Sequence, residues 1–477
     1  MTAPGSHHRA HGTAPARRAR AAIPHVARTP RKLATPMSLT TTARTLRPSA
    51  TLLINEMVAA RYAAGQETIH LGFGQANFPL PPRLRAALTA SAAGTGYPPV
   101  LGLPELRAAI ASYLARMRGQ PFTAEQVGVG PGSKPMIYVA MQALEGDVLL
   151  PVPSWVSYAP QARLLGKRVI PVPTDSADHL RLTREALAGA LARARHDGAD
   201  PRILIVNSPS NPTGGMLAKE DVAALAAWAK AERITIISDE IYAELAHGWR
   251  AHISPGRHYP EGTVFTGSLS KPFSAGGWRL GYLVVPAYTA GQRLLSAMRA
   301  LASEIWSGAA APIQMAAAEA YADDPVLAAY LRQSARAHGH VAARLHAALT
   351  ALGARCARPA GAFYLYPDFA PWRSALAARC VRTGMDLARL LLDDWGIATL
   401  PGSEFGEKPD VLRLRLATSL LCEPEHPGSP EAREAALWDL LGAADTDTPA
   451  RLDLPALDRA IERFSAFTAS LGAPTDA

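Results

Sequence analysis

The segment Ser268–Leu269–Ser270–Lys271, with Arg279 eight residues further on, places an amine, two hydroxyls and a guanidinium close together. A lysine flanked by small hydroxyl residues, after an apolar strand and without an adjoining acid, can lose its proton on burial and act as an amine nucleophile. The hydroxyls and the fork-shaped cation suit a phosphate. Taken alone, Lys271 reads better as a solvated loop lysine. Asp239 opens Asp239–Glu240–Ile241–Tyr242 directly after another apolar run. A carboxylate there can pair with a cationic ring nitrogen, keep it protonated and so make the ring an electron sink. In isolation an ordinary helix cap is the commoner reading. In Asn207–Ser208–Pro209–Ser210–Asn211–Pro212–Thr213–Gly214 two X-Pro units and a glycine fix a rigid loop from which Asn211 projects its amide. That loop is equally a structural turn or a ligand loop. Gly130–Pro131–Gly132–Ser133–Lys134 opens a helix whose N–H groups can bind an anion. It matches neither the Walker A pattern nor the dinucleotide fingerprint.

These groups need elements that bring them together. Val127–Val129, Val148–Leu150, Val169–Val172, Ile203–Val206, Ile234–Ile237, Val264–Thr266 and Leu280–Val285 read as strands. Helical stretches at 134–144, up to Leu165, at 183–195 and at 219–232 separate the earlier ones. Short Val/Ile/Leu runs alternating with helices predict an α/β fold with a mostly parallel sheet buried on both faces. Each of the four segments above follows such a strand, where open α/β sheets present ligands. Helical spacing recurs at 52–64 (Leu52, Leu53, Met57, Ala60, Tyr62), at 82–92 and at 103–118, and 287–350 is helical and Ala-rich. After Gly361 the pattern turns β-like at 362–366, helical at 385–395, β-like at 411–416 and helical again near 454–470. The expected organisation is a large domain over 75–305 and a smaller α+β domain built from 48–74 and 306–477, with a surface insertion at about 423–453.

The formal net charge of +9 is misleading. Residues 1–50 hold nine of the 49 Lys and Arg residues and no acid, so the remaining 40 bases balance 40 acids. A basic tail over 1–47, rich in Ala, Pro, Arg, Thr and His, is expected to be disordered. It reads as a transit peptide or, better, as upstream codons ahead of Met37, since its prolines fit an amphipathic presequence poorly. The neutral remainder gives no footprint for nucleic acid. No stretch is apolar enough for a membrane span. Three widely spaced cysteines argue against a disulfide framework and for a reducing, cytoplasmic setting. No metal-site spacing occurs.

In combination the motifs NSPSNPTG, SDEIY, SLSKPFSAGGWRLGY and RLRLATS resemble the class I/II aminotransferases, the fold-type I enzymes that use pyridoxal 5′-phosphate, over about 45–422. The resemblance implies a seven-stranded sheet domain and a homodimer. It also implies transfer of an amino group from an L-amino acid to a 2-oxo acid by a ping-pong route through the aminated cofactor. Lys271 would form the internal Schiff base and shuttle the proton, Asp239 would pair with the ring nitrogen, and Tyr242 and Asn211 would hold the phenolic oxygen. Ser268, Ser270, Arg279 and the amides of Gly132, Ser133 and Lys134 would hold the phosphate, and Trp155 would stack on the ring, although a plain core aromatic is the alternative for it. Tyr97 would reach the phosphate from the neighbouring subunit. Arg413 would grip the substrate α-carboxylate, with Arg415 as the fallback if the register is off. Gly74, Asn211, Trp155 and Lys134 complete the expected substrate contacts. Pro48–Ser49–Ala50–Thr51 together with Lys134 is similar to the bacterial aspartate/prephenate branch. Gly74–Gln75–Ala76–Asn77–Phe78 departs from that branch, with amides where the family often carries acids, so substrate identity stays open. The same cofactor site could serve a lyase, a cyclase or an oxidase. An effector-binding domain of a transcription regulator is disfavoured by the short aperiodic tail, and a silent scaffold by the intact Lys/Asp/Arg set.

Overall fold

The apolar runs become seven strands: β1 (Val127–Gly130), β2 (Asp147–Val152), β3 (Val169–Pro173), β4 (Pro201–Asn207), β5 (Thr235–Asp239), β6 (Thr263–Ser268) and β7 (Gly281–Val284). In this computed structural model residues 37–175, 180–248, 251–424, 428–445 and 452–474 are described. The strands form one sheet in the order β1-β7-β6-β5-β4-β2-β3, and only β7 runs against its neighbours. Alternation along β4 explains why both faces are covered. Ile203 and Ile205 pack with Ile137 and Val139 of the helix Ser133–Ala143 and with Leu295 and Met298 of Thr289–Ile305. Leu204 and Val206 point the other way, onto Leu187 and Leu191 of Arg184–His196 and Leu225 and Trp228 of Lys219–Glu232. This is the expected fold class.

The Ala-rich stretch after residue 287 is three helices, Thr289–Ile305, Ala311–Ala320 and Pro325–Ala351. The second and third each begin on a proline in the first turn, where its missing N–H costs nothing. Early and late chain segments meet in a parallel pair, Ile69–His70 beside Ile397–Ala398. A second small sheet joins Leu400–Pro401, Leu414–Ala417 and Tyr364–Leu365. The described residues of Met1–Leu46 carry a single helical turn, Thr41–Thr45, capped by the Thr40 hydroxyl; most of the expected disordered tail lies outside the described residues. Arg47–Ala477 packs as one compact unit, and one hydrophobic cluster runs from Val127 and Phe265 through Leu414 to Phe464. Among the described residues no helix is long and apolar enough to cross a membrane.

Two local features are decided by tertiary packing. On the helix Ala50–Ala63, Ile54 and Val58 are the buried residues, while Leu52, Leu53, Met57 and Tyr62 face outward; the helix is apolar on more than one side, so spacing alone could not choose the inner face. Within the expected surface insertion at about 423–453, the described residues include a packed helix. This helix, Pro430–Ala444, capped by Ser429, buries Leu437, Leu441 and Ala444 in the main hydrophobic cluster, and Trp438 packs edge-on to Tyr330 of Pro325–Ala351. Glu423 accepts from Asn77 Nδ2 at 2.6 Å and from Arg433 Nε at 2.6 Å, which ties the helix back to the 74–78 segment. Truncating a fully buried leucine leaves a cavity, so Leu441→Ala is expected to cost about 2–5 kcal/mol, read as a lowered denaturation midpoint at unchanged slope. A change below about 0.5 kcal/mol would return this helix to the surface class.

Candidate active site

Four adjacent strands β6, β5, β4 and β2 deliver their following loops to one place, as parallel order requires. β5 ends on Asp239, β6 leads to Ser270 and Lys271, β4 leads to Asn211 and β2 to Trp155 and Tyr158. The opposite wall comes from Phe73–Gln75, Tyr364 and Arg415. Together they enclose a cavity of about 450 Å³. A larger cavity of about 570 Å³ shares Tyr158, Asn207 and Asn211 with it but has neither Lys271 nor Asp239 in its lining, so the smaller one is where the reactive groups converge.

Lys271 donates from Nζ to the Gly74 carbonyl at 2.6 Å. Burial, with Arg415 and Arg279 nearby, lowers its pKa from 10.5 to about 8, against the smaller opposing pull of Asp239. Asp239 is 3% exposed. Burial raises its carboxyl to about 6 even though its oxygens accept from the Tyr158 hydroxyl at 2.6 Å and the Ile241 amide at 3.3 Å. The β4 loop is locked from below: Asn207 Nδ2 donates to the Asp239 carbonyl at 2.9 Å, and its Oδ1 accepts from the Asn211 amide at 2.7 Å. Tyr242 is buried and its hydroxyl lies 2.8 Å from that of Tyr364.

Gly74 and Gly132 are sterically required. A Cβ at Gly74 would lie 2.1 Å from the Tyr364 hydroxyl, and one at Gly132, whose φ is +108°, would lie 2.5 Å from Arg279 Nη2. Gly132 caps the helix Ser133–Ala143, so its first amides, those of Ser133 and Lys134, open beside Arg279. Arg279 is anchored on the Gly276 carbonyl at 2.9 Å. Trp155 packs edge-on to Tyr158 with Lys134 Nζ 5.0 Å from its ring centre.

The matching family model, aminotransferase class I and II, covers residues 66–420. The chain belongs to this family. This aminotransferase is 36% identical to the aspartate aminotransferase of Geobacillus stearothermophilus, over 80% of this chain and 95% of that protein. It is 34% identical to the aspartate/prephenate aminotransferase of Thermus thermophilus, over 78% of this chain and 93% of that one. The solved aspartate aminotransferase from Thermus thermophilus with maleate superposes with a TM-score of 0.75 at 28% identity, covering 90% of this chain and 99% of that one.

Of the residues expected in the aminotransferase site, Lys271, Asp239, Tyr242, Asn211, Ser270, Arg279, Ser133, Lys134, Trp155 and Gly74 line one cavity. Three do not. Ser268 sits behind Ser270, its hydroxyl 2.8 Å from both Ser270 Oγ and the Leu280 carbonyl. Tyr97 is 97% exposed. Arg413 points away, paired with Glu407 at 2.7 Å and Asp368 at 3.2 Å. The regular strand begins at Leu414, so the alternation expected to put residues 413 and 415 on one face does not reach Arg413, and two acids hold it outside the cavity. Arg415 is the arginine inside: 1% exposed, donating to the Gly72 carbonyl, with its guanidinium 5.3 Å from the Tyr364 ring centre. Tyr158 and Tyr364 were absent from the expected site. Tyr158 carried a signal, since it stands in the same turn as Trp155. Tyr364 had none beyond lying in a β-like run.

The lowered pKa makes Lys271 a neutral nucleophile above about pH 8 rather than above 10.5. In cofactor-free protein its acylation rate, followed by peptide mass spectrometry, should rise with pH to a midpoint near 8. A midpoint above 10 would mean that the amine is solvated.

Proposed function

We propose that this aminotransferase holds pyridoxal phosphate in the 450 Å³ cavity and uses it to move the amino group of a dicarboxylic amino acid to a 2-oxo acid. The observation that carries the reading is Arg415: a buried guanidinium whose Nε has no hydrogen-bond partner and which no carboxylate pairs among the described residues. A buried cation left so is costly, and a substrate carboxylate is the partner its fork fits.

The residues present fit the cofactor. The lining holds four cations, Lys134, Lys271, Arg279 and Arg415, against one carboxylate, Asp239, so the cavity attracts anions. Ser270, Arg279 and the amides of Ser133 and Lys134 would hold the phosphate. Asp239 would hold a proton on the ring nitrogen; an ion pair there would bring its raised carboxyl back toward the ionised form. Pyridoxal phosphate supplies an aldehyde for an amine and a ring that takes up electrons when the Cα–H bond breaks. Lys271 would bind the aldehyde carbon and then, freed by the incoming amine, carry the proton from Cα across the ring face. Tyr242 and Asn211 would orient the phenolic oxygen, and Trp155 would cover the ring.

Arg415 takes the role expected of Arg413. Lys134 remains as a surplus cation whose ammonium lies over the Trp155 ring, with Thr51 also in the wall; a distal carboxylate suits it. The relatives named for aspartate, and the Thermus structure with the dicarboxylate maleate, support that substrate class. Tyr97 and the outward Leu52, Leu53 and Met57 support a homodimer with Tyr97 reaching the partner's site. Gel filtration of holoenzyme should therefore give a dimer mass, and a monomer saturated with cofactor would contradict the arrangement.

Holoenzyme given aspartate should lose its visible absorbance and regain it on addition of 2-oxoglutarate. Release of product without an oxo-acid acceptor would sink the transfer reading. In the same assay Arg415→Ala should lower kcat/KM by about a hundredfold, the loss expected for a charge-assisted pair. Arg413→Ala should act mainly on stability. The reverse ranking would return the carboxylate to Arg413.

A further inference from the structure

We propose that Tyr364 is a positioning residue of the transfer reaction, turning the Tyr242 hydroxyl toward the cavity with its own hydroxyl while its ring seats the guanidinium of Arg415. This rests on the cofactor assignment above, and none of the expected site residues performs it.

The geometry comes first. Tyr364 is 1% exposed and Tyr242 3%. Their hydroxyl oxygens are 2.8 Å apart and their rings are perpendicular, with centroids 5.6 Å apart. Each phenol has one hydrogen to give. Only one hydrogen can lie between the two oxygens. When an acceptor occupies the cavity beside Tyr242 and Asn211, the Tyr242 hydrogen is free to turn to it only if the Tyr364 hydrogen fills the shared position. Two hydroxyls in series then polarise each other, and Tyr242 becomes the stronger donor. Among the other groups around Tyr242, the Asn211 side chain also hydrogen-bonds it, Lys271 lies 6.0 Å from its ring centre, Phe363 offers an apolar ring, and both Asp239 oxygens already accept, from Tyr158 and Ile241; the Tyr364 hydroxyl is the one 2.8 Å from the Tyr242 oxygen. Burial raises both phenols above their ordinary pKa, so both keep the hydrogen this chain of donors needs.

The same residue shapes the substrate side. Strand Tyr364–Leu365 runs antiparallel to Leu414–Ala417, which carries Arg415. The guanidinium sits 5.3 Å from the Tyr364 ring centre, an attractive cation–π distance, and 5.4 Å from that of Phe405. Tyr364 also touches the Gly74 backbone, leaving no room for a side chain there, and the Gly74 carbonyl accepts from Lys271. One buried phenol therefore contacts the donor for the cofactor's phenolic oxygen, the substrate's arginine and the backbone that anchors the reactive amine.

The test separates hydroxyl from ring. The pH midpoint of the visible absorbance is measured for holoenzyme of wild type, Tyr364→Phe, Tyr242→Phe and the double variant. A weaker donor to the phenolic oxygen raises the midpoint; Tyr364→Phe should raise it by roughly half a pH unit and Tyr242→Phe by more. The double variant should match Tyr242→Phe, because Tyr364 acts through Tyr242. KM for the amino donor should stay within about threefold in Tyr364→Phe and rise about tenfold in Tyr364→Leu, which loses the ring. An unchanged midpoint in Tyr364→Phe, a double variant shifted by the sum of the two, or equal KM values in Phe and Leu variants would overturn the proposal. A wild type without a visible band would take the cofactor reading down with it, which distinguishes the two failures.

Discussion

A lysine amine surrounded by cations and removed from water is the constraint on which the rest of this structure turns. Burial lowers the pKa of Lys271, and Arg415 and Arg279 lower it further. The opposing pull comes from a single carboxylate, Asp239, itself pushed upward by its burial. Such an arrangement is unfavourable in an isolated protein, because uncompensated buried charge costs free energy. It is the arrangement expected of a cavity made for anionic groups, where phosphate and carboxylate would complete the charge pairs that folding leaves open.

The fold makes that concentration of charge tolerable by fixing it from many directions. Parallel strands β4, β5 and β6 point their ends at one spot, so Asn211, Asp239 and Lys271, far apart in sequence, share a cavity. Their own loops are held by further hydrogen bonds: Asn207, in the cavity wall, joins β4 to the Asp239 carbonyl, and Ser268, behind the wall, ties its turn to Leu280. Arg413 belongs with these. Paired to Glu407 and Asp368, it braces the strand that carries Arg415. Glu423 does the same for the 74–78 segment through Asn77 and Arg433.

Two arginines two residues apart thus have different fates because of what surrounds them. Arg413 finds two acids and becomes structural, while Arg415 finds aromatic faces and a carbonyl and keeps an open donor. The same logic separates the tyrosines. Tyr97 is bare on the surface, whereas Tyr158, Tyr242 and Tyr364 pack their rings and use their hydroxyls inside. Residue type sets what a side chain can do, and its neighbours select among those options.

The strands and most helices were legible in the sequence because their signal is local: continuous apolar runs and helical spacing. The β-strand ends carrying Lys271, Asp239 and Asn211 were legible for the same reason, since each chemical motif follows its strand directly. The inner face of Ala50–Ala63, the docking of Pro430–Ala444 and the choice between Arg413 and Arg415 were not. Each depends on partners distant in sequence, such as Asp368, 45 residues before Arg413, and Tyr330, 108 residues before Trp438. Tyr364 is the limiting case. In sequence it is one aromatic in an apolar strand, and only the folding of that strand against Leu414–Ala417, with Gly74 and Tyr242 closing from other elements, gives its hydroxyl a place in the site.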